Sequence, residues 1–138
     1  MRYPLQERTS LRQLLERLEA TPPAGDEQVC SVYDRLLVSL NADGAALGFF
    51  AGAAQVCRLR PHLAERVLRE PVNCLVCLGM ETPEEVFGYV RANLRENSWF
   101  RQEAGPEGVR WLSEELPRSG NLLQRLLVEE TERNSRDD

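Results

Sequence analysis

The sequence predicts an all-α fold, a single globular bundle of about seven short helices around a central apolar helix near residues 45–59. Three observations predict it. Apolar residues recur at i, i+3, i+4 and i+7 along most of the 138-residue chain. Proline, glycine and capping residues separate those stretches at intervals suited to short helices. One stretch is apolar on nearly every side, as a helix surrounded by others is. No internal repeat survives self-comparison, and the irregular spacing favours a bundle over a solenoid of stacked hairpins. We place one helical domain over 1–132 and a charged, disordered tail over 133–138.

The elements follow in order. Leu11, Leu14, Leu15 and Leu18 form one face of a first helix, with Ser10 and Gln13 spaced as a capping box. Thr21-Pro22-Pro23-Ala24-Gly25 ends it, because neither proline can donate a helical hydrogen bond. Asp26 is placed to cap a second helix with Val29, Tyr33, Leu36, Leu37 and Leu40 inward. Asn41-Ala42-Asp43-Gly44 reads as a turn. The third helix, Ala45 to Leu59, mixes Leu47, Phe49, Phe50 and Val56 with alanines and with Gly48 and Gly52, whose spacing lets a neighbour approach closely. Pro61 is expected to open a short fourth helix and Pro71 to interrupt it. The apolar run Val72 to Met80 then reads as a further helix. Thr82-Pro83-Glu84-Glu85 is the strongest start signal, with Val86, Phe87, Val90 and Leu94 as the buried stripe. Asn97-Ser98 closes that helix and leaves Trp99-Phe100 at a loop. Gly105-Pro106 opens another, carrying Val109, Leu112 and Leu116, and Pro117 stops it. Ser119 to Glu132 is the last, with Leu122, Leu123, Leu126 and Leu127 inward.

Composition bounds the function. With 42% hydrophobic and 28% charged residues the chain is neither a disordered nor a membrane-spanning class. A net charge of −5 disfavours a general nucleic-acid or anionic-membrane binder. The opening Met1 to Glu7 lacks the apolar core of a signal peptide. Four cysteines in no disulfide framework are expected to be reduced thiols, which points to cytoplasm or nucleus. All 17 basic residues are arginine, and isoleucine is absent as well, a pair of absences that codon bias explains better than selection against lysine.

Few residues invite catalysis. His62 is the only imidazole, no serine sits in a nucleophile elbow, and the adjacent acids Glu84-Glu85, Glu114-Glu115 and Glu129-Glu130 suit solvated helix faces. No glycine-rich phosphate loop exists, so no cofactor and no enzyme are expected. Cys57, His62, Cys74 and Cys77 contain enough ligands for a structural zinc site, and Cys74-Leu75-Val76-Cys77 has the knuckle gap. The apolar neighbours of that CxxC favour core packing instead, and a redox role of the thioredoxin kind lacks its βαβ context.

Interaction residues are better represented. Arg58, His62, Arg66 and Arg69 recur at about helical spacing and would form a basic stripe if Pro61 permits one axis. Such a stripe suits an acidic helix, a phosphorylated segment or a nucleic-acid backbone, whereas pairing with Glu65 and Glu70 would make it an ordinary wet surface. Trp99 and Phe100 at a helix boundary, with Trp111 a helix away, are of the types that dominate binding hot spots. Packing under the Gly105-Pro106 loop is the competing role for Trp99 and Trp111.

The stretch Gly44 to Cys57, with Phe49-Phe50 among small residues, resembles the central-helix BH1 segment of Bcl-2-type apoptosis regulators. Trp99-Phe100-Arg101 with Gly105 downstream resembles their BH2 segment, in the same order. The resemblance implies a groove for a BH3-type helix. Ala45 stands where that family has the arginine that grips the BH3 aspartate, and about two helices precede the BH1-like stretch where the family has about four. The expected function is a non-enzymatic protein–protein interaction module, an adaptor, inhibitor or regulatory subunit, binding through Trp99, Phe100, Arg58, Arg66 and Arg69. A Bcl-2-like groove and a small zinc-stabilised domain are the alternatives, and self-association stays open.

Overall fold

The computed structural model describes residues 25–39 and 45–136. The expected Ser10/Gln13 box, the Leu11–Leu18 helix, the stop over 21–24 and the turn over 41–44 lie outside the described residues, as do the side chains of Leu36, Leu37 and Leu40. The described residues are helical almost throughout, and no strand occurs among them.

Helix α1, Asp26–Ser39, starts one residue away from the expected cap. Gly25 takes the cap position: its carbonyl accepts from Val29 N at 3.0 Å, and its own N–H donates to Gln28 Oε1 at 3.2 Å. Asp26 is therefore the first helical residue, and its carboxylate is available for other partners. Val29 and Tyr33 face inward and are fully buried.

Helix α2, Ala45–Leu59, is buried at every position from Ala46 to Cys57. It packs against α1 and, across its other faces, against the segments that follow. A 3₁₀ turn over Pro61–Leu63 leads into α3, Ala64–Cys77. Here the structure corrects the sequence reading, because α3 runs straight through Pro71 and joins two segments expected to be separate. Proline at 71 has no N–H for the Val67 carbonyl four residues earlier. Tyr33 supplies the missing donor: its hydroxyl donates to the Val67 carbonyl at 2.6 Å from inside the core. A side chain from α1 thus replaces the main-chain bond that proline removes from α3.

The apolar run does not stay helical to Met80. α3 ends in a Schellman motif, with Met80 N donating to the Leu75 carbonyl at 3.0 Å and Gly79 N to that of Val76 at 2.9 Å. Gly79 holds φ +93, a conformation that a Cβ would strain.

Helix α4, Pro83–Glu96, begins at the expected capping box: Thr82 Oγ1 accepts from Glu85 N at 3.2 Å, and Thr82 N donates to Glu85 Oε1 at 3.1 Å. Val86, Val90 and Leu94 are buried. Asn97 then opens a new helix rather than a loop, accepting from Phe100 N at 3.1 Å, so Trp99 and Phe100 lie in the first turn of α5, Ser98–Arg110. That helix breaks at Gly105 (φ 71, ψ 169) and resumes at Pro106. A π turn over Trp111–Glu115 and a 3₁₀ turn over Leu116–Ser119 carry it into α6, Gly120–Arg136. Pro117 does not stop the chain's helical course, since it stands near the start of the 3₁₀ turn, where an N–H is not needed. α6 also continues through 133–136, which were expected to fray.

The core joins these elements through Phe50, Val67, Leu68, Leu75, Phe100, Leu116, Leu123 and Leu126, all fully buried. Among the described residues no helix is long and apolar enough to cross a membrane.

The repair at Pro71 is measurable. Tyr33→Phe leaves a buried carbonyl unsatisfied and is expected to cost about 1–3 kcal/mol in urea denaturation. In a Pro71→Ala background the restored N–H serves Val67, so the same substitution costs clearly less; equal costs in both backgrounds would show that the hydroxyl acts elsewhere.

Candidate interaction site

The expected basic stripe does not form one surface, because the 3₁₀ turn at Pro61–Leu63 separates the axes of α2 and α3. His62 joins its neighbour Arg60 on a carboxylate of α1 instead. Arg60 Nη1 and His62 Nε2 reach Asp26 at 2.9 and 2.7 Å, joining the start of α1 to the turn. The hydrogen bonds with His62 and then Arg60 hold the Asp26 carboxyl below the usual aspartate value.

Arg69 is taken up inside the fold. Its Nη1 lies 3.0 Å from both Glu129 Oε1 and Glu130 Oε2 on α6, and its Nη2 lies 3.5 Å from Glu65. Glu130 is only 1% exposed, and its Oε2 also lies 3.7 Å from Arg133 Nη1. Arg125 extends the network with two bonds to Glu65, at 3.0 and 3.1 Å. Arg69 therefore clamps α3 to α6 and is withdrawn from the expected partner surface. Arg66 is exposed on α3.

Arg58 is different. It sits in the last turn of α2, and its Nε donates to Gln55 Oε1 at 2.8 Å. Gln55 is itself buried, and its Nε2 donates to the Ala104 carbonyl beside the Gly105 break. One amide thus ties α2 to α5 and orients the guanidinium. Gly108 makes room for it, since a Cβ there would lie 2.9 Å from Gln55 Nε2 and 3.1 Å from Ala104 Cβ. Beyond Gln55, Arg58 makes no ion pair among the described residues.

The Arg58 guanidinium borders a cleft of about 390 Å³ between the end of α2, Pro61 and the π turn. Trp111 walls it at 9% exposure, and Arg110 and Arg118 stand on the same rim. Their ion pairs with Glu114 and Glu115 are long, at 4.0 and 3.8 Å, and join well-exposed side chains. Such pairs are worth little and exchange readily for a better partner. Gln55, Arg110 and Arg118 were missed in the sequence. The signal for Gln55 was present: it is the one amide in an otherwise apolar stretch.

Trp99 and Phe100 part company. Adjacent helical residues point about 100° apart, so α5 exposes 38% of Trp99 while burying Phe100 completely. Phe100 is a core residue and is corrected out of the contact surface. Arg101, next along, donates through Nη1 to the Leu94 and Arg95 carbonyls at 2.9 and 2.8 Å, closing the end of α4.

The four zinc candidates do not assemble. Cys57 is buried, and burial pushes its thiol up to about 12, while His62 is exposed on Asp26. Among the described residues no three His, Cys, Asp or Glu side chains come together as a ligand set. Within the BH1-like stretch, Ala46 to Cys57 are all buried on α2, and the BH2-like Trp99-Phe100-Arg101 forms the first turn of α5. Comparisons of the chain with protein-family models, with curated proteins and with solved structures find no match.

Two measurements check these assignments. Arg69→Met leaves Glu130 with only the longer Arg133 pair and is expected to cost about 3 kcal/mol, most of it recovered in the Arg69→Met/Glu130→Met double variant. Asp26, whose carboxyl is lowered in the folded chain, stabilises above the ordinary aspartate pKa, and that contribution is lost as pH falls through its folded value. Asp26→Asn should therefore flatten the acid limb of a stability–pH curve.

Proposed function

We propose that the chain is a protein-binding module, an adaptor, inhibitor or regulatory subunit, that receives an acidic segment of a partner protein in the cleft between α2 and the π turn. The observation that carries this reading is Arg58, a guanidinium oriented by a buried amide and, among the described residues, without a carboxylate partner. An oriented arginine loses less entropy on binding than a free one, and its fork matches a carboxylate in two bonds. Trp111 offers an aromatic wall, and Arg110 and Arg118, loosely paired with Glu114 and Glu115, stand beside them and Glu107 in a lining of both signs. Trp99 and Arg66 supply further exposed contact residues. In this reading α2 is the central helix of a single domain.

Selection of displayed peptides on the purified chain tests the proposal. Recovered sequences should be rich in Asp and Glu, bind at least tenfold more weakly to Arg58→Glu, and lose less on Trp99→Ala. Peptides that bind Arg58→Glu as well as the parent chain would refute it. A Bcl-2-like groove is the second reading, favoured by the BH1-like helix lying buried with α5 packed against it. It predicts capture of an amphipathic BH3-type peptide, insensitive to Arg58. Absence of binding at tens of micromolar ends it.

A further inference from the structure

We propose that Cys74 and Cys77 are a reversible dithiol–disulfide site that exchanges with small disulfides of the glutathione class. Both lie in the last turn of α3, three residues apart and so on one face. Residues at that spacing in an α-helix have Cα atoms about 5 Å apart, inside the roughly 4.4–6.8 Å range of disulfides. Their Cβ atoms, about 5–6 Å apart in a regular helix, must close by about one to two ångströms. Tightening toward 3₁₀ geometry, which brings i and i+3 into line, supplies that movement. The helix end already has this character: Leu78 N donates to the Leu75 carbonyl at 3.0 Å, and Gly79 N to that of Val76 at 2.9 Å, both three residues back.

The two thiols differ in access. Cys77 is exposed and borders Leu78, itself 66% exposed, which leaves an open approach. Cys74 is half-buried, and burial with the nearby Glu70 charge raises its thiol pKa. Cys30 and Cys57 are buried and closed to a soluble oxidant. Exchange therefore starts at Cys77. Its thiolate attacks one sulfur of glutathione disulfide, forming a Cys77–glutathione mixed disulfide and releasing one glutathione thiolate. Cys74, deprotonated by solvent, then attacks the Cys77 sulfur and releases the second. The net change is two protein thiols and one glutathione disulfide to one protein disulfide and two glutathiones. Closure moves the Cys77 sulfur, which accepts from Asn134 Nδ2 at 3.7 Å, and so reaches α6.

Mass spectrometry of the wild-type chain in glutathione buffers of increasing oxidation tests this. Cleavage at arginine releases residues 70–91, which hold both thiols and no other cysteine. That fragment should lose two hydrogen atoms and regain them on reduction. Slowed or faster amide exchange at Leu78–Met80 should accompany the change. In Cys74→Ser the reaction should stop at a glutathione adduct on Cys77. Wild-type chain that keeps such an adduct, or keeps both thiols free, at every oxidation ratio would overturn the proposal.

Discussion

The hydroxyl of Tyr33 on the carbonyl of Val67 is the constraint from which much of this structure follows. A proline in mid-helix leaves one acceptor without its donor, and a buried acceptor without a donor is costly. Without the Tyr33 bond the favoured outcome is a kink or break at Pro71. α3 would then no longer carry Arg69 and Cys74-Cys77 on one continuous axis. Its continuity is what lets Arg69 meet Glu129 and Glu130 near one end of the α3–α6 contact and Cys77 meet Asn134 near the other. A tyrosine on α1 thereby fixes the register of two helices later in the chain.

Gln55 performs a related task at the second irregularity. α5 breaks at Gly105 just before Pro106, and the Ala104 carbonyl beside that break accepts from the Gln55 amide. Gln55 and Arg58 are the polar side chains of α2, and Gln55 makes its contact across to α5. The same amide presents its oxygen to Arg58, which couples the packing of α2 on α5 to the orientation of the cleft's guanidinium. A fold repair and a binding feature share one side chain.

What the sequence revealed depended on whether the signal was local. The Thr82–Glu85 box is a matter of neighbours, and the structure has it where the residues put it. Amphipathic stripes such as Val86, Val90 and Leu94 are set by period alone and face the core. Pro71 misled because its rescue comes from Tyr33, thirty-four residues from the carbonyl it serves, and no local pattern announces that pairing. Pro117 misled for a milder reason, since a stop signal and the first turn of a new helical segment use the same residue. Asn97-Ser98 has the composition of a helix end, which puts Trp99-Phe100 on a loop, whereas the Asn97 side chain begins the next helix. Of the expected contact residues, Arg58 and Trp99 remain available, while burial removes Phe100 and the α6 carboxylates take Arg69.

The exclusive use of arginine, whatever its origin in coding bias, has physical consequences that lysine could not reproduce. Arg125 engages Glu65 through two nitrogens at once, Arg101 serves two carbonyls at the end of α4, and Arg69 faces three carboxylates from two helices. A planar fork with five donors can satisfy such sets, whereas an ammonium acts as a single strongly hydrated point. The acidic chain thus directs much of its positive charge into joints between helices. Against that background Arg58 stands out: it carries the same fork, held by a buried amide at the mouth of a cleft that Glu107, Glu114 and Glu115 also line, yet it ion-pairs with no carboxylate among the described residues. Glu107, Glu114 and Glu115 in the cleft, with the surplus acid of the whole chain, repel a uniformly acidic partner, so a productive ligand must present its carboxylate at Arg58 itself. Recognition by this fold would therefore depend on the placement of one acidic side chain more than on overall charge.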